Sequence, residues 1–129
     1  IIQRRKILVV DDDPEATWMM KEVLKPAYEV ELAHSDTEAF EKFSQNNFDL
    51  AILDIRMPFT SGIGVCHRFK ERAETHHIPV VMVSALPPKE NMERAYEAGA
   101  SAYLMKPFRP EELLGVVEKI LSEVPVAVR

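Results

Sequence analysis

Four short apolar runs constrain this chain more than any other feature: Ile7-Leu8-Val9-Val10, Leu50-Ala51-Ile52-Leu53, Ile78-Pro79-Val80-Val81-Met82-Val83 and Ala102-Tyr103-Leu104-Met105. Each is too short for a buried helix and has no alternating polar face. Such runs suit strands covered on both sides, as in a parallel sheet. Each stops abruptly at a polar side chain. The first meets Asp11-Asp12-Asp13-Pro14, the second Asp54, the third Ser84 and the fourth Lys106. The stretch Asp49–Pro58, with Asp54 near its middle, is the one around which the rest is organised. Taken alone, Asp54 reads as a solvated aspartate opening a turn. The other strand ends give it a different meaning.

Helical patterns separate the runs. Asp13 is a candidate N-cap with Pro14 at the first helical position, and Ala16, Met19, Met20, Val23 and Leu24 share one face before Pro26. Trp18 lies off that stripe and reads as half buried. Tyr28–Ala33 alternates with period two, which predicts an edge strand with one wet face. Ser35-Asp36-Thr37-Glu38 matches a capping box, and the helix it opens buries Ala39, Phe40 and Phe43 before Asn46-Asn47. Phe59-Thr60-Ser61-Gly62 reads as a loop after Pro58. A third helix follows from about Ile63 to Ala73, burying Val65, Cys66 and Phe69. The strand after it starts at Ile78. The fourth helix spans about Lys89 to Ala98 and stops at Gly99. Its apolar face is thin (Met92, Ala95, Tyr96), which makes it the least firmly held. Pro110 opens the fifth, with Leu113, Leu114, Val116, Val117, Ile120 and Leu121 on a broad apolar face.

Strands and helices thus alternate five times with short connections. That order predicts a doubly wound α/β fold of (βα)5 type, a parallel five-stranded sheet with helices on both faces. One domain is expected over residues 1–129, with an ordered core over about 6–123 and 124–129 as a tail or the start of a linker. With 129 residues, 47% of them apolar, the chain can bury a core without disulfides or a metal. The net charge of -5 argues against a nucleic-acid-binding surface. A single cysteine excludes an internal disulfide and fits a reducing, cytoplasmic setting. No apolar run approaches the roughly 18 residues of a membrane span. Arg4-Arg5-Lys6 leads into too few apolar residues for a signal peptide. The first residue is Ile1 rather than methionine, so a chain trimmed from a longer one is expected.

In a parallel sheet the ends of these strands share one edge, the edge where open α/β sheets bind ligands. Asp11, Asp12 and Asp54 would repel one another there unless a cation joins them. All-oxygen donors suit Mg²⁺ (or Mn²⁺) better than zinc. A carboxylate beside such an ion and a lysine is placed to attack phosphorus, with the Ser84 hydroxyl free to bind a phosphoryl oxygen. Aspartate as nucleophile gives an acyl phosphate.

With these residues in view, the sequence resembles the receiver domain of two-component response regulators over nearly its whole length. The resemblance rests on Asp11-Asp12 after Val9-Val10, Asp54 followed by Pro58 and Gly62, Ser84-Ala85, and Lys106-Pro107-Phe108, all in order and at matching spacings. It implies a flavodoxin-like strand order of 2-1-3-4-5. It implies phosphoacceptance by Asp54 from a sensor histidine kinase or histidine phosphotransfer protein. Asp12, Asp54 and the Arg56 backbone carbonyl would bind the metal directly, and Asp11 through a water. Lys106, with a cis bond to Pro107, would pair with the phosphoryl group. Ser84 and Tyr103 would act as switch residues, and Arg56 and Leu86 would tune phosphoryl lifetime. The surface of helix four, strand five and helix five would be read by an output domain or target protein. The domain would catalyse only its own phosphorylation and dephosphorylation.

Some positions depart from the commonest family pattern. Ser61 stands where many members have aspartate. Ser101-Ala102 replaces two aspartates of the winged-helix subfamily, which favours a monomer or weak dimer. Two other readings compete. Asp11-Asp12-Asp13 loosely fits the signature of haloacid dehalogenase-type phosphatases, and a flavodoxin-like binding module that works without phosphate is the other. Cys66 reads as a packed thiol, His76-His77 as a surface pair, and His34 and His67 as partly exposed.

Overall fold

The computed structural model describes residues 4–57, 60–72 and 74–123. Ala73, where the third helix was expected to end, and the expected tail at 124–129 lie outside them, as do Pro58 and Phe59. Five core strands alternate with five helices: β1 (Lys6–Val10), α1 (Pro14–Leu24), β2 (Glu29–Ala33), α2 (Asp36–Gln45), β3 (Leu50–Asp54), α3 (Gly62–Glu71), β4 (Val80–Ser84), α4 (Pro88–Glu97), β5 (Ala102–Met105) and α5 (Pro110–Glu123). The sheet is parallel throughout, in the order β2-β1-β3-β4-β5. This is the order that the resemblance implied, with β2 and β5 at the edges.

The two-sided burial of the central strands follows from side-chain alternation. Ile7, Val9, Leu50, Ile52, Val81 and Val83 pack with Met20 and Leu24 of α1 and Leu113, Val117 and Leu121 of α5. Leu8, Val10, Ala51, Leu53, Val80 and Met82 pack with Ala39 of α2, Val65, Cys66 and Phe69 of α3, and Ala95 of α4. Phe69 is the anchor of this second layer, and the Phe40 and Phe43 rings meet it edge-on at 4.9 and 4.3 Å between centroids. The edge strand β2 keeps its wet side: Lys6 of β1 reaches Glu31 at 2.9 Å and Glu29 at 3.8 Å.

The caps form as the sequence predicts in two helices. Asp13 accepts the Glu15 N–H at 3.0 Å, and Ser35 accepts the Glu38 N–H at 3.1 Å. Elsewhere the structure departs from expectation. Thr60–Ser61 is not loop but pairs antiparallel with Arg56–Met57. Helix α3 begins at Gly62, and β4 begins only at Val80. Trp18 is 58% exposed and not half buried, because the α1 stripe that meets the sheet is Thr17, Met20 and Leu24. Helix α4 is held even more lightly than expected. Only Ala95 is buried within it, Met92 and Tyr96 are exposed, and no side chain caps its N-terminus.

Gly62 marks where α3 is forced close to the end of β3. A Cβ there would lie 2.2 Å from the Asp54 carbonyl oxygen and 3.1 Å from the Ile55 Cα, and its N–H donates to the Ile55 carbonyl at 2.9 Å. Backbone atoms cannot step aside as a flexible side chain can. Gly62→Ala is therefore expected to lose about 2 kcal/mol or more in urea unfolding. Gly115→Ala, on the exposed side of α5 with nothing within 4 Å, should gain close to 1 kcal/mol from helix propensity. Equal effects at the two positions would refute the close-approach account.

Candidate functional site

The carboxyl edge of β1, β3, β4 and β5 collects the polar residues that the sequence placed at strand ends. Strand β1 delivers Asp11, which is fully buried. Its Oδ1 accepts the Asp13 N–H at 3.0 Å, and its Oδ2 accepts from Lys106 Nζ at 2.7 Å. Strand β3 delivers Asp54, only 7% exposed. Its Oδ1 accepts the Arg56 N–H at 3.2 Å, and its Oδ2 lies 3.4 Å from Lys106 Nζ. Asp12 is exposed at the mouth. Oxygens from Asp11, Asp12 and Asp54 all lie within 4.8 Å of one another. A set of three carboxylates this close fits one hard divalent cation, which takes oxygen ligands and tolerates their charge.

Lys106 is positioned by its own backbone. Its N–H donates to the Ser84 carbonyl at 2.8 Å, tying the ends of β4 and β5 together, and the Lys106–Pro107 peptide is cis. Burial opposes the ammonium charge, but the hydrogen bond to Asp11 and the charges of Asp11 and Asp54 win, so the Lys106 pKa is raised. Asp54 moves the other way in charge. Burial first, and the neighbouring Asp11 second, push its carboxyl up to about 6, against the pull of Lys106 and of the Arg56 N–H.

Two further sequence-predicted residues meet at Leu86. Ser84 is fully buried, and its Oγ accepts the Leu86 N–H at 2.9 Å. Its hydroxyl proton is then available to a different acceptor. Tyr103, partly buried on β5, donates its hydroxyl to the Leu86 carbonyl at 3.3 Å. The Leu86 peptide groups are thus held from both sides by the two residues expected to switch. Arg56 is exposed beside the site, and among the described residues its guanidinium has no hydrogen-bond or ionic partner.

Two recesses adjoin this centre. An apolar cleft of about 390 Å³ lies on the α1 side, lined by Met19, Met20, Val23, Pro107 and Phe108 together with Lys106. A polar groove of about 610 Å³ lies on the α4 side, lined by Asp12, Arg56, Leu86, Asn91 and Arg94 among others. Sequence reasoning did not find Asn91 and Arg94. Their only signal is i,i+3 spacing on a short polar helix, which says nothing about where that helix is docked. The cysteine and histidines stay outside the site. Cys66 is buried, donates to the Ala98 carbonyl at 3.4 Å, and burial pushes its thiol up to about 11. His34 is exposed and lies 3.1 Å from the buried Thr17 hydroxyl, a contact not foreseen.

The raised Asp54 pKa has a stability consequence. Its folded value of about 6 lies above the ordinary 3.8, so ionisation penalises folding increasingly as pH rises from about 4 to about 6. In the presence of a chelator, Asp54→Asn should stabilise the fold by ~2 kcal/mol at pH 7, and the gain should vanish at about pH 4. Thermal unfolding of both proteins across that range checks it; a destabilised variant at pH 7 would contradict the ionisation penalty at Asp54.

Comparison with known proteins places these features in context. The family model described as "Response regulator receiver domain" matches residues 7–118. Among curated proteins, the transcriptional regulatory protein ResD of Bacillus subtilis is 36% identical over 117 residues, which is 90% of this chain and 48% of ResD. The chain therefore spans about half the length of that relative. Among solved structures, a response regulator from Chloroflexus aurantiacus superposes with a TM-score of 0.89 at 35% identity, covering 94% of this chain and all of the other. The response regulator TrrA of Thermotoga maritima, solved in complex with Mg²⁺ and BeF, gives 0.79 at 33% identity, covering 90% and 98%.

Proposed function

The chain belongs to the response regulator receiver family, and on that footing we propose that Asp54 is its phosphoacceptor. The observation that carries the proposal is the convergence of Asp11, Asp12, Asp54 and Lys106 at one edge of the sheet. A sensor histidine kinase or a histidine phosphotransfer protein is the donor. An Asp54 carboxylate oxygen attacks phosphorus, the bond to the donor's imidazole nitrogen breaks, and the electron pair stays on that nitrogen. Asp11, Asp12, Asp54 and the Arg56 backbone carbonyl are the residues that would hold Mg²⁺ (or Mn²⁺), with Asp11 acting through a water. Bound there, the ion neutralises phosphoryl oxygens. The Lys106 ammonium, 2.7 Å from Asp11 and 3.4 Å from Asp54, would pair with the phosphoryl oxygens as well.

The switch follows from Ser84 and Tyr103. A phosphoryl group on Asp54 is a new acceptor for the Ser84 hydroxyl, and drawing Ser84 in alters its hold on the Leu86 N–H. Tyr103, bonded to the Leu86 carbonyl, turns inward with it. The conformer so favoured changes the surface of α4, β5 and α5, and an output domain or target protein reads it. The light anchorage of α4 suits an element that must move at small cost. The domain acts on its own aspartate only, in the cytoplasm, as a monomer or weak dimer that makes no nucleic-acid contact itself. Among the described residues, no helix is long and apolar enough to cross a membrane. The single-domain extent of residues 1–129 is part of the same proposal. A phosphatase of haloacid dehalogenase type and a phosphate-independent module are not favoured, given the family and the intact acid and lysine set.

Incubation with acetyl phosphate or beryllofluoride and Mg²⁺ should give a covalent or stable adduct on the wild type and none on Asp54→Asn, by intact-mass measurement and near-ultraviolet spectra. A wild type that takes up neither would sink the proposal. Arg56 bears on phosphoryl lifetime: its exposed side chain can lie over the phosphoryl group and hinder the attacking water. Arg56→Asn should raise autodephosphorylation by about threefold, a barrier change of about 0.6 kcal/mol. An unchanged or slower rate would remove Arg56 from that role.

A further inference from the structure

The groove on the α4 side contains a charge that the phosphoacceptor chemistry above does not use. Two guanidinium groups, Arg56 and Arg94, line it together with Asn91, and it opens onto Asp12. Asn91 is occupied in part by the Pro87 carbonyl at 3.0 Å. The Arg94 side chain is exposed and has no hydrogen-bond or ionic partner among the described residues. Apolar side chains share the lining with Thr60 and Ser61: Ile55, Met57, Ile63 and Leu86. At about 610 Å³ it is the size of a small-molecule cleft. A cation in a groove lined partly by apolar side chains, with Asp12 at its edge, fits a ligand with a small apolar body and an anionic end.

We infer that Arg94 binds the carboxylate leaving group of small acyl phosphates and so favours them among low-molecular-weight phosphodonors. The inference rests on Asp54 being the phosphoacceptor. An Asp54 oxygen attacks phosphorus, the P–O bond to the acyl oxygen breaks, and its electron pair leaves with the carboxylate. The leaving carboxylate needs no proton and carries a full negative charge, which the Arg94 guanidinium meets with paired N–H donors. The acyl chain rests on Met57, Ile63 and Leu86. Phosphoramidate differs in the decisive respect. Its nitrogen is already protonated, so the P–N bond breaks to release neutral ammonia, and an arginine in the groove has no charge to stabilise.

The test measures phosphorylation rate constants of the wild type, Arg94→Ala, Arg94→Lys and a control, Arg68→Ala on α3, with acetyl phosphate and with phosphoramidate in the same Mg²⁺ buffer. The readout is the ratio of the acetyl phosphate rate to the phosphoramidate rate. It should fall about five- to tenfold in Arg94→Ala, less than the loss of an enclosed oxyanion donor because the groove is open. Arg94→Lys should recover at least half of the wild-type ratio, and Arg68→Ala should match the wild type. A ratio unchanged in Arg94→Ala, or two rates that fall together, overturns the inference while leaving Asp54 as phosphoacceptor. A wild type labelled by neither donor overturns the phosphoacceptor reading and this inference with it.

Discussion

The ammonium of Lys106, set between the carboxylates of Asp11 and Asp54, is the interaction on which the rest of the structure depends. Two acids at the end of adjacent parallel strands, almost wholly removed from water, would oppose folding if left alone. One lysine just past the end of the edge strand offsets part of that cost. It does not offset all of it, since burial and Asp11 still hold the Asp54 carboxyl up near 6. The fold therefore keeps a centre that is short of positive charge. That shortage is what makes the centre responsive: anything that brings a cation or removes a charge there shifts the balance of the whole edge.

The scaffold around this centre is unequal in stiffness, and the inequality has a physical source. Strands β1, β3 and β4 are buried on both faces, so the strand ends carrying Asp11, Asp54 and Ser84 have little freedom. The approach of Gly62 to the Asp54 carbonyl adds a further restraint on the β3 end. On the other side, α4 contributes one buried residue and has no side-chain cap. Between the two lies Leu86, held by Ser84 through its N–H and by Tyr103 through its carbonyl. A rigid charge centre, a short hydrogen-bonded link and a lightly held helix form a sequence along which a local change of charge can reach a surface.

How much of this was legible in the sequence varies with the physics of each part. The central strands could be read because a run without a wet face has few places to go in a domain of this size. The caps at Asp13 and Ser35 could be read because they are local chemistry. The Thr60–Ser61 pairing could not, since a two-residue ladder leaves no periodic signal. Met92 and Tyr96 were placed on a buried face by spacing alone, yet α4 meets the sheet through little more than Ala95. The exposure of Trp18 has a similar cause: the stripe of α1 that meets the sheet includes a threonine, Thr17, whose hydroxyl finds partners in Pro14 and His34.

What the sequence determined by itself is the set of groups at the strand ends and their common edge. Polar residues that follow apolar parallel strands must emerge together, whatever the details of packing. What only the tertiary structure decided is how those groups are matched. Lys106 sits closer to Asp11 than to Asp54, Leu86 is gripped from two sides, and Arg94 of α4 opens onto the same groove as Arg56. These depend on distances between elements far apart in the chain. Such distances are set by the volumes of side chains packed between sheet and helix, which no local pattern encodes.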